Sequence, residues 1–350
     1  MSLEFRHIAH AYGQVQALED ISFTAPAGEI TCLLGASGCG KSTLLGLTAG
    51  LLRVQQGEIA LGGAVLADMA ASPPPEARPV GLVFQDGALF PHMTLSANVA
   101  FGLPKERRGE ADGWLAKVGL AGMGARYPHE LSGGQQQRAA LARAMAPRPQ
   151  VLLMDEPFAS VDIVLRRALR RECRILLREA GSTVILVTHD PAEALDIADR
   201  IAVMEGGRIV QFGTPEELHG APANAAVGAI FSGAQIIAGA RTEDGLDTAF
   251  GLWPLASLGA GLPEMLPPGQ ALDLLVHADR LVPVADVRGC RVRDVHLLGP
   301  RSRVLLEGAE GAAISVETAL PVDAGKTYSV LPDPESVRAF VRSSALQATG

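Results

Sequence analysis

Lysine is almost missing from this sequence: Lys41, Lys105, Lys117 and Lys326 are the only four in 350 residues, so nearly every cation is written as arginine. Aromatic residues make up 4% and charged residues 19%, and acidic side chains outnumber basic ones by 38 to 30, a net charge of −8. That balance excludes bulk nucleic-acid binding, which needs a basic footprint. No apolar run approaches the about 20 residues that a helix needs to cross a bilayer. The nearest stretch, 225–240, is broken by Gly, Ser and Gln. The opening MSLEFRHIAHAYG lacks the basic-then-apolar pattern of an export signal. Cys32, Cys39, Cys173 and Cys290 form neither a CxxC pair nor a disulfide framework, which predicts a reducing, cytoplasmic setting.

What is plentiful is apolar side chain, at 48%, together with 39 glycines and 23 prolines, the composition of a packed globular chain. At roughly 150 residues per domain the length predicts two domains. Short β-branched runs at 29–34, 80–84, 151–154, 183–187 and 200–204 alternate with helix-like stretches, the pattern of a parallel α/β sheet. Leu3–Ala11 and Ala17–Ala25 alternate with period two, as antiparallel strands do. The proline-rich 72–79 reads as a loop, and 95–145 is helix-biased. Beyond the small-residue stretch 221–240 the pattern changes to short alternating runs at 271–277, 291–297, 303–307, 313–316 and 327–331. These predict a small all-β, barrel-like domain. The expected division is 1–233, with a helical subdomain at about 90–148, and 234–350.

Three motifs carry chemistry. Gly35-Ala36-Ser37-Gly38-Cys39-Gly40-Lys41-Ser42 is GxxxxGK[ST] between an apolar strand and a helix beginning near Thr43. Its glycines let backbone N–H groups turn inward onto phosphate oxygens, and the helix N-terminus adds its positive dipole. Lys41 would reach the β- and γ-phosphates, and Ser42 would offer its hydroxyl to Mg²⁺. The apolar strand 151–154 ends in Asp155-Glu156, placing two carboxylates where parallel sheets bind ligands. Asp155 would hold Mg²⁺ through water and Glu156 would polarise an attacking water. In Leu131-Ser132-Gly133-Gly134-Gln135, Ser132 can cap the helix that follows, and the glycines permit an anion to approach.

With these motifs, residues 3 to about 220 resemble the ATP-binding subunits of ABC transporters. The resemblance implies an α/β P-loop NTPase fold with a helical subdomain, and ATP and Mg²⁺ as ligands. It makes Ser132–Gln135 the signature segment that meets the ATP of an opposite subunit, and so implies a homodimer with two shared sites. Tyr12 falls where the family stacks an aromatic on adenine, and Gln85 matches the glutamine that senses Mg²⁺ and water. His189 matches the switch histidine at the γ-phosphate. Asp162 matches the loop that crosses the dimer interface, here Ala159-Ser160-Val161-Asp162 rather than the common Ser-Ala-Leu-Asp.

The 85–95 segment with Phe101-Gly102-Leu103, and the tail from Val227 to Pro254, look most like the ferric-iron importer ATPases, which carry a TOBE-like β domain. The same resemblance implies two integral-membrane permease subunits, a periplasmic solute-binding protein, and a peripheral position on the cytoplasmic face of the inner membrane. Importers of polyamine, sulfate, molybdate, phosphonate or sugar, and soluble non-transport ABC proteins, are the rival readings. Finally, Arg166, Arg170, Arg174 and Arg178 recur every four residues. They read as a solvated helix face pairing locally with Glu172 and Glu179, in preference to a surface for lipid headgroups or a membrane subunit.

Overall fold

Strongly apolar short runs become the central strands because both of their faces are covered. The computed structural model describes residues 1–159, 161–255, 258, 266–333 and 336–342, without the side chains of 163–165 and 288. Close contacts divide the chain into two compact units, Met1–Leu218 and His219–Gly350.

The first unit opens with β1 (Leu3–Tyr12) and β2 (Val15–Ala25), then β3 (Ile30–Leu34), α1 (Lys41–Ala49), β4 (Gln56–Leu61), β5 (Ala64–Asp68) and β6 (Val80–Val83). Helices α2 (Leu95–Ala100), α3 (Ala111–Lys117) and α4 (Gly133–Met145) fill the helix-biased region. There follow β7 (Val151–Asp155), α5 (Ile163–Ala180), β8 (Thr183–Thr188), α6 (Pro191–Ile197), β9 (Arg200–Glu205), β10 (Arg208–Gly213) and α7 (Pro215–Gly220), which runs across the division. Two sheets result, an antiparallel one in the order β2-β1-β4-β5 and a larger one in the order β10-β9-β3-β8-β7-β6. In the larger sheet every neighbouring pair is parallel except β10 against β9. All residues of β3 and β8 are buried.

One apolar core joins the two sheets, with Phe5, Ile8 and Ile21 from one, Leu33, Leu153 and Ile185 from the other, and Leu44 and Leu47 of α1 among them. Helix α1 therefore has no polar stripe: seven of its nine residues are buried, Lys41 included. Arg78, in the proline-rich loop, donates to the carbonyls of Leu47 and Thr48 near the C-terminus of α1 at 2.7 and 2.9 Å. That loop carries one short 3₁₀ turn, Pro75–Ala77, where none was expected. Helices α2, α3 and α4 pack on one another, and Thr94 and Ser132 cap α2 and α4.

The second unit has α8 (Ala225–Ser232), then β11 (Gln235–Arg241), β12 (Gly245–Thr248), β13 (Gly251–Pro254), β14 (Ala271–Val276), β15 (Leu281–Leu297), β16 (Ser302–Glu307), β17 (Ala313–Thr318), β18 (Thr327–Pro332) and β19 (Arg338–Val341). Its strands form two antiparallel sheets, β13-β12-β11-β14-β19 and β17-β16-β15-β18. Trp253, Leu272, Leu274, Val292, Val304 and Val316 belong to the core these sheets share. This corrects the expected barrel. Among the described residues the ladders do not close: β13 and β19 are the edges of one sheet, and β17 and β18 those of the other. The unit also starts upstream of the expected residue 234, because α8 packs on β11 and β14. A Cβ on Gly228 would lie 2.6 Å from Leu275 Cδ2, so the helix meets the sheet at glycine distance.

Candidate nucleotide site

The larger sheet delivers its chemistry along one edge. Strands β3, β8, β7 and β6 are consecutive neighbours and parallel. At their carboxyl ends lie Gly35–Ser42, His189, Asp155 with Glu156, and Gln85. Four separate stretches of chain thus converge where a parallel sheet binds ligands.

The loop after β3 requires its glycines. Gly38 and Gly40 have φ of +83° and +103°, which side chains with a Cβ resist. A Cβ on Gly35 would stand 2.3 Å from the Met204 carbonyl, and one on Gly40 2.5 Å from that of Ala17. Lys41 begins α1, is 6% exposed, and donates from Nζ to the carbonyls of Gly35 at 2.7 Å and Ala36 at 2.8 Å. Its ammonium therefore lies within the curve of the loop, where phosphate charge would sit. Ala36, Ser37 and Cys39 complete the turn, and Thr43 follows Ser42 in the first turn of the helix.

Burial and the neighbouring charge of Glu156 push the Asp155 carboxyl above its usual range, against the opposing pull of Lys41 and a hydrogen bond from the Ser42 hydroxyl. A hydroxyl and a carboxylate side by side, beside the phosphate-shaped loop, form an all-oxygen donor set of the kind Mg²⁺ takes. The residues fit the metal. Glu156 sits at φ +41°, a left-handed conformation that costs a non-glycine residue of order 1 kcal/mol. Its N–H donates to Val187 O at 3.0 Å, tying it to β8. Its Oε1 lies 3.0 Å from Nδ1 of the exposed His189. Strain at a carboxylate paired with a histidine is the kind of cost that a reaction centre retains.

Other expected residues, Gln85, Tyr12 and 132–135, make no hydrogen bond or ion pair to this cluster among the described residues. Gln85 occupies an exposed turn beyond β6 and makes no hydrogen bond to Ser42 or Asp155 among the described residues. That turn is held to α4 by Arg143, which donates to Gly87 O at 2.9 Å and Ala88 O at 2.7 Å. Tyr12 ends β1, 50% exposed, with one edge against His10 at 4.9 Å between ring centres, so its ring is open to a stacking partner. Ser132 and Gln135 close a capping box at α4, Gln135 N donating to Ser132 Oγ at 3.4 Å and Ser132 N to Gln135 Oε1 at 3.0 Å. Gly133 and Gly134 form the first turn of the same helix. No hydrogen bond or ion pair joins 132–135 to 35–43, Glu156 or His189 among the described residues. Asp162 immediately precedes α5 and is exposed, whereas Ser160 lies outside the described residues.

The arginine stripe is only partly a solvated face: Arg178 is exposed, but the stripe pairs with another helix and its flanks. Arg170 is 5% exposed and reaches Asp190 at 2.5 Å, Glu193 at 3.4 Å and Asp196 at 3.5 Å. Arg174 and Arg178 both reach Asp199, and Glu172 pairs with Arg138 rather than within the helix. The partners come from α6 and its flanks. The signal available in the sequence was the run Asp190, Glu193, Asp196, Asp199, spaced to face the arginines of another helix.

Strand, glycine loop, helix and a second strand ending in paired carboxylates define a P-loop nucleoside triphosphatase. A family model described as ABC transporter matches residues 18–159. The Fe(3+) ions import ATP-binding protein of Pseudomonas fluorescens is 48% identical over 250 residues, 70% of this chain and 70% of its own. A sulfate/thiosulfate import ATP-binding protein of Nocardia farcinica is 51% identical over 219 residues, 61% of this chain and 65% of its own. Another, from Chromobacterium violaceum, is 41% identical over 338 residues, 93% of this chain and 91% of its own. The chain belongs to the ATP-binding, ATP-hydrolysing proteins of the ABC transporter family. No helix among the described residues is long and apolar enough to cross a membrane.

Proposed function

We propose that this chain is the motor subunit of an importer: two copies share two ATP sites, dock on two permease subunits at the cytoplasmic face of the inner membrane, and serve a periplasmic solute-binding protein. The observation that supports it most is the convergence at one sheet edge of the phosphate loop, Asp155 and the Glu156–His189 pair at 3.0 Å. The backbone amides of 35–43 and Lys41 bind the triphosphate, and Tyr12 stacks on the adenine. Ser42, Gln85 and Asp155 would hold Mg²⁺, which would supply charge neutralisation at the triphosphate. Glu156 orients the attacking water and takes its proton, while His189 holds Glu156 and faces the γ-phosphate. Ser132, Gly133, Gly134 and Gln135 complete the partner's site, with Asp162 at the crossing between copies. Glu156→Gln is expected to keep ATP affinity and to lower turnover by about a hundredfold or more. Hydrolysis within a few-fold of the parent would refute the role of Glu156.

The solute is ferric iron in this reading, supported by the ferric-import relative and by the 85–95 and 227–254 segments. A sulfate reading has its own support in the relative that matches over 93% of the chain, the second unit included. Uptake of labelled Fe³⁺ and of labelled sulfate, in cells with and without the gene, separates them. Loss of iron uptake alone supports the first reading, and loss of sulfate uptake alone replaces it with the second.

A further inference from the structure

Helix α5 presents an arginine on each of four successive turns, and the upper two are placed differently from the lower two. Arg174 and Arg178 fasten the helix to Asp199, ahead of β9. Arg166 instead donates to the carbonyls of Val161 at 3.0 Å and Ala159 at 3.5 Å. Those carbonyls belong to the turn that starts at Glu156, since Ala159 N donates to Glu156 O and Val161 N to Phe158 O, each at 3.2 Å. Arg170, one turn further along, grips Asp190, the residue after His189. Burial works against the charge on Asp190, but the hydrogen bond and charge of Arg170, with the amides of Ala192 and Glu193, hold its carboxyl below the usual range. The segments that follow Glu156 and His189 are therefore anchored to adjacent turns of one helix face, behind a pair that touches in front.

We propose that Arg166 and Arg170 are positioning residues that keep Glu156 and His189 in register through α5, so that a shift of either loop is passed to the other. The inference rests on the catalytic reading of Glu156. Glu193 makes the coupling sensitive to protons. It is nearly fully buried, and Arg170 Nε and Glu193 Oε1 both lack a hydrogen-bond partner, so the network is only partly satisfied. The charged or titratable groups that act on Glu193 or feel its charge are Arg166, Arg170 and Cys173 on α5, Cys32 on β3, and Asp190 beside it, with the Thr188 hydroxyl adjacent, while Asp196 shares Arg170. Burial pushes its carboxyl up to about 7, so it ionises near neutral pH and then competes with Asp190 for Arg170.

Steady-state hydrolysis of MgATP by the full chain, with calorimetric nucleotide binding alongside, tests this. Arg170→Gln is expected to lower kcat about tenfold to hundredfold, with KM and Kd for ATP within about threefold and partial recovery in Arg170→Lys. Arg166→Gln is expected to act in the same direction. Glu193→Gln, which keeps Arg170 paired with Asp190, is expected to remove an inflection near pH 7 from the kcat profile. An Arg170→Gln kcat within about twofold of wild type, or a loss carried by KM alone, overturns the proposal. So does a Glu193→Gln profile that superposes on that of wild type, which decides the matter if Arg170→Gln does not fold. Full activity in Glu156→Gln would remove the catalytic reading itself. An inactive Glu156→Gln beside normal Arg170 and Glu193 variants would remove only the coupling.

Discussion

At the scale of single residues, Glu193 has a consequence for stability that can be signed. Its folded value of about 7 stands above the ordinary 4.5, with burial as the chief cause. Across that window the folded state holds a proton that the unfolded state has released, so stability falls as pH rises from 4.5 to about 7 and then levels off. Relative to wild type, Glu193→Gln is therefore expected to gain of order 2–3 kcal/mol between the acid end of this window and pH 8. Urea unfolding of both proteins at the two pH values measures it, and a constant difference would refute it. A residue's place was legible where near neighbours in sequence set it: Gly35 through Gly40 form the loop between β3 and α1, and Asp155 and Glu156 stand at the end of β7. That of Arg170 was not, because its partners lie at 190, 193 and 196. Periodicity showed a basic stripe, but not the acidic helix placed against it.

Elements were legible in proportion to how completely they are buried. Strands β3, β7 and β8 are uninterrupted apolar runs and emerge within a residue or so of their expected bounds. Strands β4, β5 and β10, with more exposed and polar residues, gave no such signal. Helix α8 was placed with the wrong neighbours because its composition, AAVGAIFS, says only that it is buried, not against what. Its packing on β11 and β14 has a test. A chain cut after Leu218 is expected to stay soluble and to bind ATP, since its core and every nucleotide motif lie upstream. A chain cut after Gly233 retains Val227 and Phe231 without their sheet and is expected to aggregate more readily. Light scattering and nucleotide titration of the two fragments check this; equal behaviour, or a shorter fragment that binds no ATP, would contradict it.

For the whole molecule, the proposed site shared between two copies has its own test, since among the described residues no hydrogen bond or ion pair joins 132–135 to the phosphate loop. Lys41→Ala and Ser132→Arg are each expected to be inactive alone. In a mixed dimer one site unites an intact loop with an intact signature, while the other carries both lesions. Mixing the two is expected to restore part of the hydrolysis, read together with a sedimentation measurement of dimer formation. Hydrolysis by a demonstrated monomer, at a rate per molecule independent of concentration, would refute the shared site. The motifs were legible in the sequence as short runs, whereas the absence of a bond between 132–135 and 35–43 among the described residues became visible only in the fold.

The strand order also governs when the site can come into being. The phosphate loop hangs from β3, whose ladder partners among the described residues are β8 and β9, with Ile30 opposite Val184 and Thr31 opposite Arg200. During synthesis β3, which leads into the loop of Lys41, waits until about half of the chain is made before its first neighbour β8 exists, because parallel pairing here joins residues more than 150 apart. Strands β6 and β7 can pair earlier, and the antiparallel β1 and β2 earlier still. The scaffold of the nucleotide loop is therefore expected to be completed only once β8 can enter between β3 and β7. A nascent chain stalled before residue 183 would carry the complete glycine motif and still lack the scaffold that aims it.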